Sequence, residues 1–257
     1  MSEAPQVDMR DFFEGGGGFP EKARLTEIGT MLPAIRLNHE MFKIFDNPNQ
    51  FIDPSKINLK DRRLDNYFLH GGCLQTKGTD KAELPHTIMI DGNFYWYIYA
   101  DFPSTDAWET PDMLAVCGYE FCQSKNVKFF DIVQYQAALF GQRNSITKDD
   151  LKDYDYYLNF IRWPLFMTHM VEQLTVWQNR DNNDIAGVFI DPHIRPKKKV
   201  GAYDEEIASM AQRVIKAKNY HPYQFSPAHP LMQRFWKPIG EISPDVKLQK
   251  FLTTNIG

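Results

Sequence analysis

The sequence predicts an α+β fold, mostly helical, with a small antiparallel sheet built around a β-hairpin at about residues 86–99. Three observations carry that expectation. Helix-opening signals recur along the chain, one strong hairpin signal stands before its middle, and no internal repeat at solenoid spacing is present. The 257 residues suit one large domain with small appendages. A chain of this size buries roughly 70–75% of its unfolded surface, so its core needs no disulfide staple.

Residues 1–19 read as an extended N-terminal arm, because the run Gly15-Gly16-Gly17-Gly18 is costly to order. Residues 20–257 follow as a single α+β domain, with an extended C-terminal segment over about 219–257. Pro20-Glu21 opens a first helix to about Met31. From Ala34, the residues Leu37, Met41, Ile44 and Phe45 keep helical spacing until Asn47-Pro48 stops them. Asn66 to Gln75 reads as a strand, bulged at Gly71-Gly72. His86–Asp91 and Phe94–Tyr99 form the hairpin arms, with the turn at Gly92-Asn93. Alternation then sets Phe94, Trp96 and Ile98 on one face and Tyr95, Tyr97 and Tyr99 on the other.

Thr110-Pro111-Asp112 has an N-cap hydroxyl, a proline at the first helical position and an acid in the first turn, so a helix is expected to about Gln123. Residues 127–140 lean to helix, closed by Gly141. Thr147 and Asp150 open another helix as a capping box, which Pro164 must kink or break. Phe166, Met170, Leu174 and Trp177 continue as a second one. Ile185–Asp191 reads as a strand and Asp204–Lys218 as an amphipathic helix. Short helices are expected at about 230–237 and 244–253, the latter opened by Ser243-Pro244-Asp245. That makes roughly seven to nine helices and three to five strands.

Composition excludes more than it assigns. A net charge of −4 does not suit a nucleic-acid binder, whose domain is usually strongly basic. The three cysteines, Cys73, Cys117 and Cys122, are too few for a disulfide framework, so a reducing intracellular compartment is expected. Cytoplasm, mitochondrion and virion are equally compatible with that. The opening residues MSEAPQVDMRDF hold no apolar h-region, and the longest apolar run, Phe94 to Ala100, is far too short for a membrane span. A soluble chain is expected, for which peripheral membrane contact stays open. Phosphate-cradling glycine motifs are absent.

Four groups of residues bear on function. His70-Gly71-Gly72-Cys73 could present a thiol nucleophile with His70 or His86 as its base. Residues 70 and 73 lie on opposite faces of a regular strand, however, so a bulge is required to join them. The ordinary alternative is a strand cysteine acting as a small hydrophobe. The seven histidines form no metal-ligand spacing, so neither a metal nor another cofactor is expected. Asp191-Pro192-His193 follows a strand, where ligand groups are common. For partner contact, the Tyr95/Tyr97/Tyr99 face and the basic run Arg195, Lys197, Lys198 and Lys199 are the expected surfaces. Against these stand a second core layer and a solvated loop.

The expected function is a non-catalytic structural or accessory subunit of a large multiprotein assembly, with other protein subunits as partners. An organellar energy-converting complex and a virion or phage-like particle both suit it. The supports are the excess of aromatic residues, 14% of the chain, the many proline-punctuated segments and the lack of a catalytic signature. The alternative is an enzyme, either a cysteine-dependent hydrolase or transferase at Cys73, or a metal-dependent oxidoreductase using dispersed histidines.

Overall fold

The computed structural model describes residues 35–37, 39–52, 67–74, 87–100, 112–124, 127–137, 161–180, 184–192, 202–224 and 233–256. Its centre is a mixed sheet of eight strands, not a small antiparallel one. The strands are β1 (Ile35–Arg36), β2 (Tyr67–Leu74), β3 (Thr87–Ala100), β4 (Asp112–Ser124), β5 (Val127–Ala137), β6 (Ile185–Ile190), β7 (His221–Gln224) and β8 (Gln233–Pro238). The helices are α1 (His39–Ile44), α2 (Trp163–Asn179), α3 (Ala202–Ala217) and α4 (Val246–Ile256). Helix and strand are in rough balance, so the expected helical majority is overturned.

The strands lie in the order β1-β2-β3-β4-β5-β6-β8-β7. All neighbours are antiparallel except β5 and β6, which are parallel and joined through α2. A parallel pair needs such a crossover. The sheet is thus an antiparallel meander from β1 to β5, continued past one parallel step by β6 and the inserted β8.

Four local expectations fail here, for related reasons. Residues 112–124 are strand, not helix, despite their helix-opening signal. Every residue from Leu114 to Cys122 is buried, with β3 on one edge and β5 on the other. A strand covered on both faces loses the alternation that announces a strand. Residues 127–137 are likewise strand, paired with β4 and β6. Residues 233–238 are strand between β6 and β7. The hairpin at 86–99 is one strand, β3: Met89 pairs with Cys122 and Asn93 with Glu120, so the expected turn at Gly92-Asn93 is instead the end of an irregularity within the strand. The tight reversal lies elsewhere, at β4 to β5, where Ser124 pairs with Val127.

The helical half conforms more closely. Pro164 sits in the first turn of α2, where a missing N–H costs nothing. Helix α3 ends on Asn219, at φ 57°, and Tyr220 N–H bonds back to the Ile215 carbonyl, the pairing of a left-handed C-cap. Asp245 caps α4 by accepting from Leu248 N–H at 3.0 Å. The expected helix from Ala34 shrinks to α1, because Ile35 and Arg36 pair with β2 first. The arm at 1–19 and the helices near 20–31 and 147–160 lie outside the described residues.

One core cluster joins the helices to one face of the sheet, including Phe94, Trp96, Phe130, Ile132, Phe166, Met170, Val214 and Leu252. Rings meet throughout it: Phe45 lies 5.2 Å from Phe51 and 5.4 Å from Phe166, and Phe94 stacks on Tyr119. The opposite face carries a smaller cluster of Cys122, Phe129, Phe189 and Trp236. There β6 presses onto β8, since a Cβ on Gly187 would stand 2.2 Å from the Lys237 carbonyl oxygen.

Candidate functional site where two parallel strands part

The one parallel pair does not stay together. Strands β5 and β6 pair from Lys128↔Ile185 to Ile132↔Ile190, and Asp191 N–H adds a last bond to the Ile132 carbonyl at 2.9 Å. Beyond Ile132, β5 runs on against β4 as far as Ala115↔Ala137. Residues 133–137 therefore keep β4 on one edge and leave β6 on the other.

A β-bulge marks the parting. Tyr119 pairs with Ile132 but Gly118 with Gln134, so Val133 is an extra residue on β5. A bulge bends its strand and shifts the alternation by one. Before it, Phe130 and Ile132 enter the helix-side core; after it, Tyr135 does, opposite Cys117. On the same stretch of sheet Gly118 leaves room for Tyr95, whose Cε1 would stand 3.1 Å from a Cβ there.

The amino end of α2 lies over this stretch. Tyr135 and Trp163 rings meet edge to face at 6.2 Å, and the Tyr135 hydroxyl is 2.6 Å from Thr168 Oγ1. No acid stands in the first turn of α2, and the exposed Arg162 occupies its N-cap position. Arg162 N–H bonds the Phe51 carbonyl, Trp163 N–H the Ile161 carbonyl, and Pro164 has no N–H, so the positive charge of this corner is the Arg162 guanidinium.

Two buried ionic groups hold the surroundings. On the face away from the helices, Arg234 of β8 reaches Asp191 at 3.0 Å and Asp131 of β5 at 3.7 Å. It thus spans β6 and ties the parallel pair together just before the strands separate. On the helix side, Glu172 of α2 takes Lys218 Nζ at 2.6 Å, Lys237 Nζ at 3.3 Å and the Tyr220 hydroxyl at 3.2 Å. Burial alone would raise the Glu172 carboxyl, but the two ammonium groups outweigh it and hold it below its ordinary value. Burial raises both Tyr135 and Tyr220 well above the ordinary phenol range, so both stay protonated donors. Cys117, also fully buried, is raised in the same way and is a thiol, not a thiolate.

One turn earlier on α2, His169 Nε2 stands 3.2 Å from Asp245 Oδ2. Burial lowers the imidazole below its ordinary value, against the opposing pull of Asp245. The Asp245 carboxylate also accepts from Asp46 N–H, while the Asp46 carboxylate accepts from Val246 N–H at 2.6 Å. These reciprocal bonds fasten the end of α1, the middle of α2 and the start of α4 together. They are a structural knot, buried at His169 and Asp245 and open to solvent at Asp46 and Val246.

The residues singled out in the sequence fall mostly elsewhere. His70 and Cys73 lie on β2, whose pairing with β3 runs without a shift from Tyr67↔Ala100 to Leu74↔Asn93. The bulge expected at Gly71-Gly72, which the thiol site required, is absent. Tyr95 is half-buried over Gly118; Tyr97 and Tyr99 follow on β3. His86, Arg195, Lys197, Lys198 and Lys199 lie outside the described residues. Asp191, at the end of β6, meets a charge there, Arg234, while His193 lies outside the described residues. Tyr135, Thr168, Arg162 and Glu172 carried no sequence signal beyond a residue type on an apolar segment. Among the described residues no cluster of three or more His, Cys, Asp or Glu side chains could hold a metal, and no helix is long and apolar enough to cross a membrane. Comparison with protein families, with curated proteins and with solved structures finds no match to this chain.

Proposed function

We propose that this chain is a group-transfer enzyme that takes an acyl group from a coenzyme-A-type thioester bound where β5 and β6 part. The observation behind it is the parting of the parallel strands β5 and β6 after Ile132, at the Val133 bulge, near Arg162 at the start of α2. A strand edge offers alternating N–H and C=O groups, which suit an extended ligand with amides of its own. The exposed Arg162 guanidinium suits phosphate. A carrier with an amide-bearing arm and a phosphate-bearing end combines both, and coenzyme A is such a carrier. Ligands in sheets with parallel strands also favour the carboxyl ends of strands at a change of direction in the strand order. In the reaction, an acceptor nucleophile such as an amine attacks the thioester carbonyl and the C–S bond breaks. The acyl group passes to the acceptor, and the carrier leaves as a thiol with the proton the acceptor gives up.

The test is titration calorimetry of the full chain with coenzyme A and acetyl-coenzyme A. Micromolar binding that Arg162→Glu weakens about tenfold supports the reading, since one charge-assisted phosphate contact is worth about that factor. Absence of binding at millimolar carrier contradicts it.

A second reading keeps the chain as a non-catalytic subunit of an assembly. One observation favours it: Tyr223, 43% exposed, extends the Phe189 and Trp236 rings at the β7 edge of the sheet. The aromatic excess gives it less support than composition suggested, because Phe45, Phe51, Phe94, Tyr119, Phe129 and Phe130 are spent in the core. Native purification with a stoichiometric partner lost on Tyr223→Ala would carry it.

A further inference from the structure

We propose that α4 is an acid-released latch, docked on α2 by a ladder of polar contacts in which His169 is the rung that mild acid breaks. The ladder lies along one stripe of α2, where His169, Gln173, Trp177 and Arg180 stand three or four residues apart. His169 Nε2 is 3.2 Å from Asp245 Oδ2. Gln173 donates to the Ser243 carbonyl at 2.9 Å, and accepts from Asp245 N–H at 2.8 Å and from Gln249 Nε2 at 2.9 Å. The Trp177 indole and the Arg180 guanidinium both donate to Thr253 Oγ1, at 3.2 and 2.7 Å. Leu248 and Leu252 are the buried apolar side of α4. Of these rungs only His169 changes charge between about pH 5 and 8.

The groups around the ring make a second proton unwelcome. From α4 it meets Asp245, whose carboxylate also accepts from Asp46 N–H and Leu248 N–H. From the segment after α1 it meets the Phe45 and Phe51 rings, at 6.1 and 5.2 Å between centroids. There the Asp46 carboxylate is turned to Val246 N–H, and Lys247 Nζ to the Phe45 carbonyl. From its own helix Glu172 Oε2 lies 4.0 Å from Nδ1, too far for a hydrogen bond. That carboxylate is engaged by Lys218, just past α3, and by Lys237 of β8. A carboxylate only accepts, so the neutral imidazole carries its hydrogen on Nε2, toward Asp245. A proton on Nδ1 would give up water and find no acceptor at bonding distance. Burial, helped by the Lys218 charge, therefore holds the docked ring below its ordinary value against the pull of Asp245. Lifting α4 uncovers the ring to water, where it protonates at about pH 6.5. The lifted state binds the extra proton, so acid favours it from about pH 6.5 downward. Asp245 and Glu172 are held below their ordinary values of 3.8 and 4.5, so they act only in stronger acid.

The experiment is residue-resolved amide hydrogen exchange on the full chain at about pH 7.5 and about pH 5.5, corrected for the intrinsic rates. The Leu248 and Gln249 amides, which bond the Asp245 side chain and carbonyl, report the docked first turn of α4. Their opening constant is expected to rise about tenfold at the lower pH, the linkage of one group with an ordinary value near 6.5. At both pH values they should be less protected than the Tyr119 and Phe121 amides of β4, which open only with the whole fold. His169→Gln keeps a donor for Asp245 and does not titrate, so its pH ratio should fall within about twofold of unity. Gln173→Met removes the second rung and should open α4 faster at both pH values, with the tenfold ratio intact. Equal protection of α4 and β4, a wild-type ratio near one, or a tenfold ratio kept in His169→Gln would each overturn the latch. Should His169→Gln fail to fold, the wild-type imidazole decides by nuclear magnetic resonance titration. A midpoint well below about 6.5 supports the latch, and one at or above that value overturns it.

Discussion

The sheet has two halves that meet at β5, and they are held by different means. From β1 to β5 it is a continuous meander whose interior is apolar and ring-rich: Phe94 on Tyr119, Tyr119 on Phe130, Phe121 on Phe130. From β6 onward the elements are joined by buried ions, Arg234 to Asp191 and Asp131 on one face, Glu172 to Lys218 and Lys237 on the other. Rings fill space and accept many neighbours, whereas a buried charge must find its partner at a fixed distance. The ionic half is therefore the one whose elements are aimed individually. The halves part at the seam beyond Ile132, where β5 pairs on with β4 and the first turn of α2 packs on Tyr135.

The sharpest way to separate the halves is to damage each and vary the pH. Phe130→Ala in the ring half should cost about 4 kcal/mol in urea unfolding, with no change in pH dependence. Glu172→Gln in the ionic half should cost about 3 kcal/mol, because Lys218 and Lys237 lose their common carboxylate. Equal pH responses of the two variants would remove the distinction between the halves.

The wild type itself should weaken in acid. Glu172, Asp245 and His169 are all held below their ordinary values of 4.5, 3.8 and 6.5, so the unfolded chain binds protons more readily at each. More protons on the unfolded state means that stability rises with pH. These contributions are complete above about pH 6.5, begin to fall below it as unfolded His169 charges, and fall further below about 4.5. His169→Gln should remove the first of these phases in a series of urea midpoints. A midpoint flat from pH 7 to 4 would contradict the buried-ion account.

How much of this was legible in the sequence follows the same division. Helices α2, α3 and α4 were readable because they have an apolar stripe and recognisable ends: Pro164, Asp245, and the apolar spacing of Met210 and Val214. Strands β4 and β5 were not readable, because pairing on both edges and burial on both faces, along Leu114–Cys122 of β4 and Phe129–Ile132 of β5, erase the period of two. Their local signals pointed to helix, and tertiary pairing overrode them. The Gly92-Asn93 pair reads as a turn in any short window, and only the partner strand β4 shows it to belong to an irregularity in β3. The site was the least legible part. A bulge at Val133 leaves no residue signature, and Tyr135, Thr168, Glu172 and Lys218 come together from segments up to 83 residues apart only once α2 crosses the sheet.

The smallest effect on stability belongs to the residue most exposed at the seam. Arg162→Glu should leave the unfolding free energy within about 0.5 kcal/mol, since its side chain is at the surface. Its effect should appear in carrier binding alone. A large loss of stability would place Arg162 in the fold and not in the site.

The central claim is that residues 133–137 of β5 offer a strand edge to an extended ligand. Amide hydrogen exchange across this segment, with and without coenzyme A, tests it most directly. The account predicts that amides facing β4 are protected in both states, and that the segment as a whole gains protection when the carrier binds. No change in protection on adding the carrier would contradict the account.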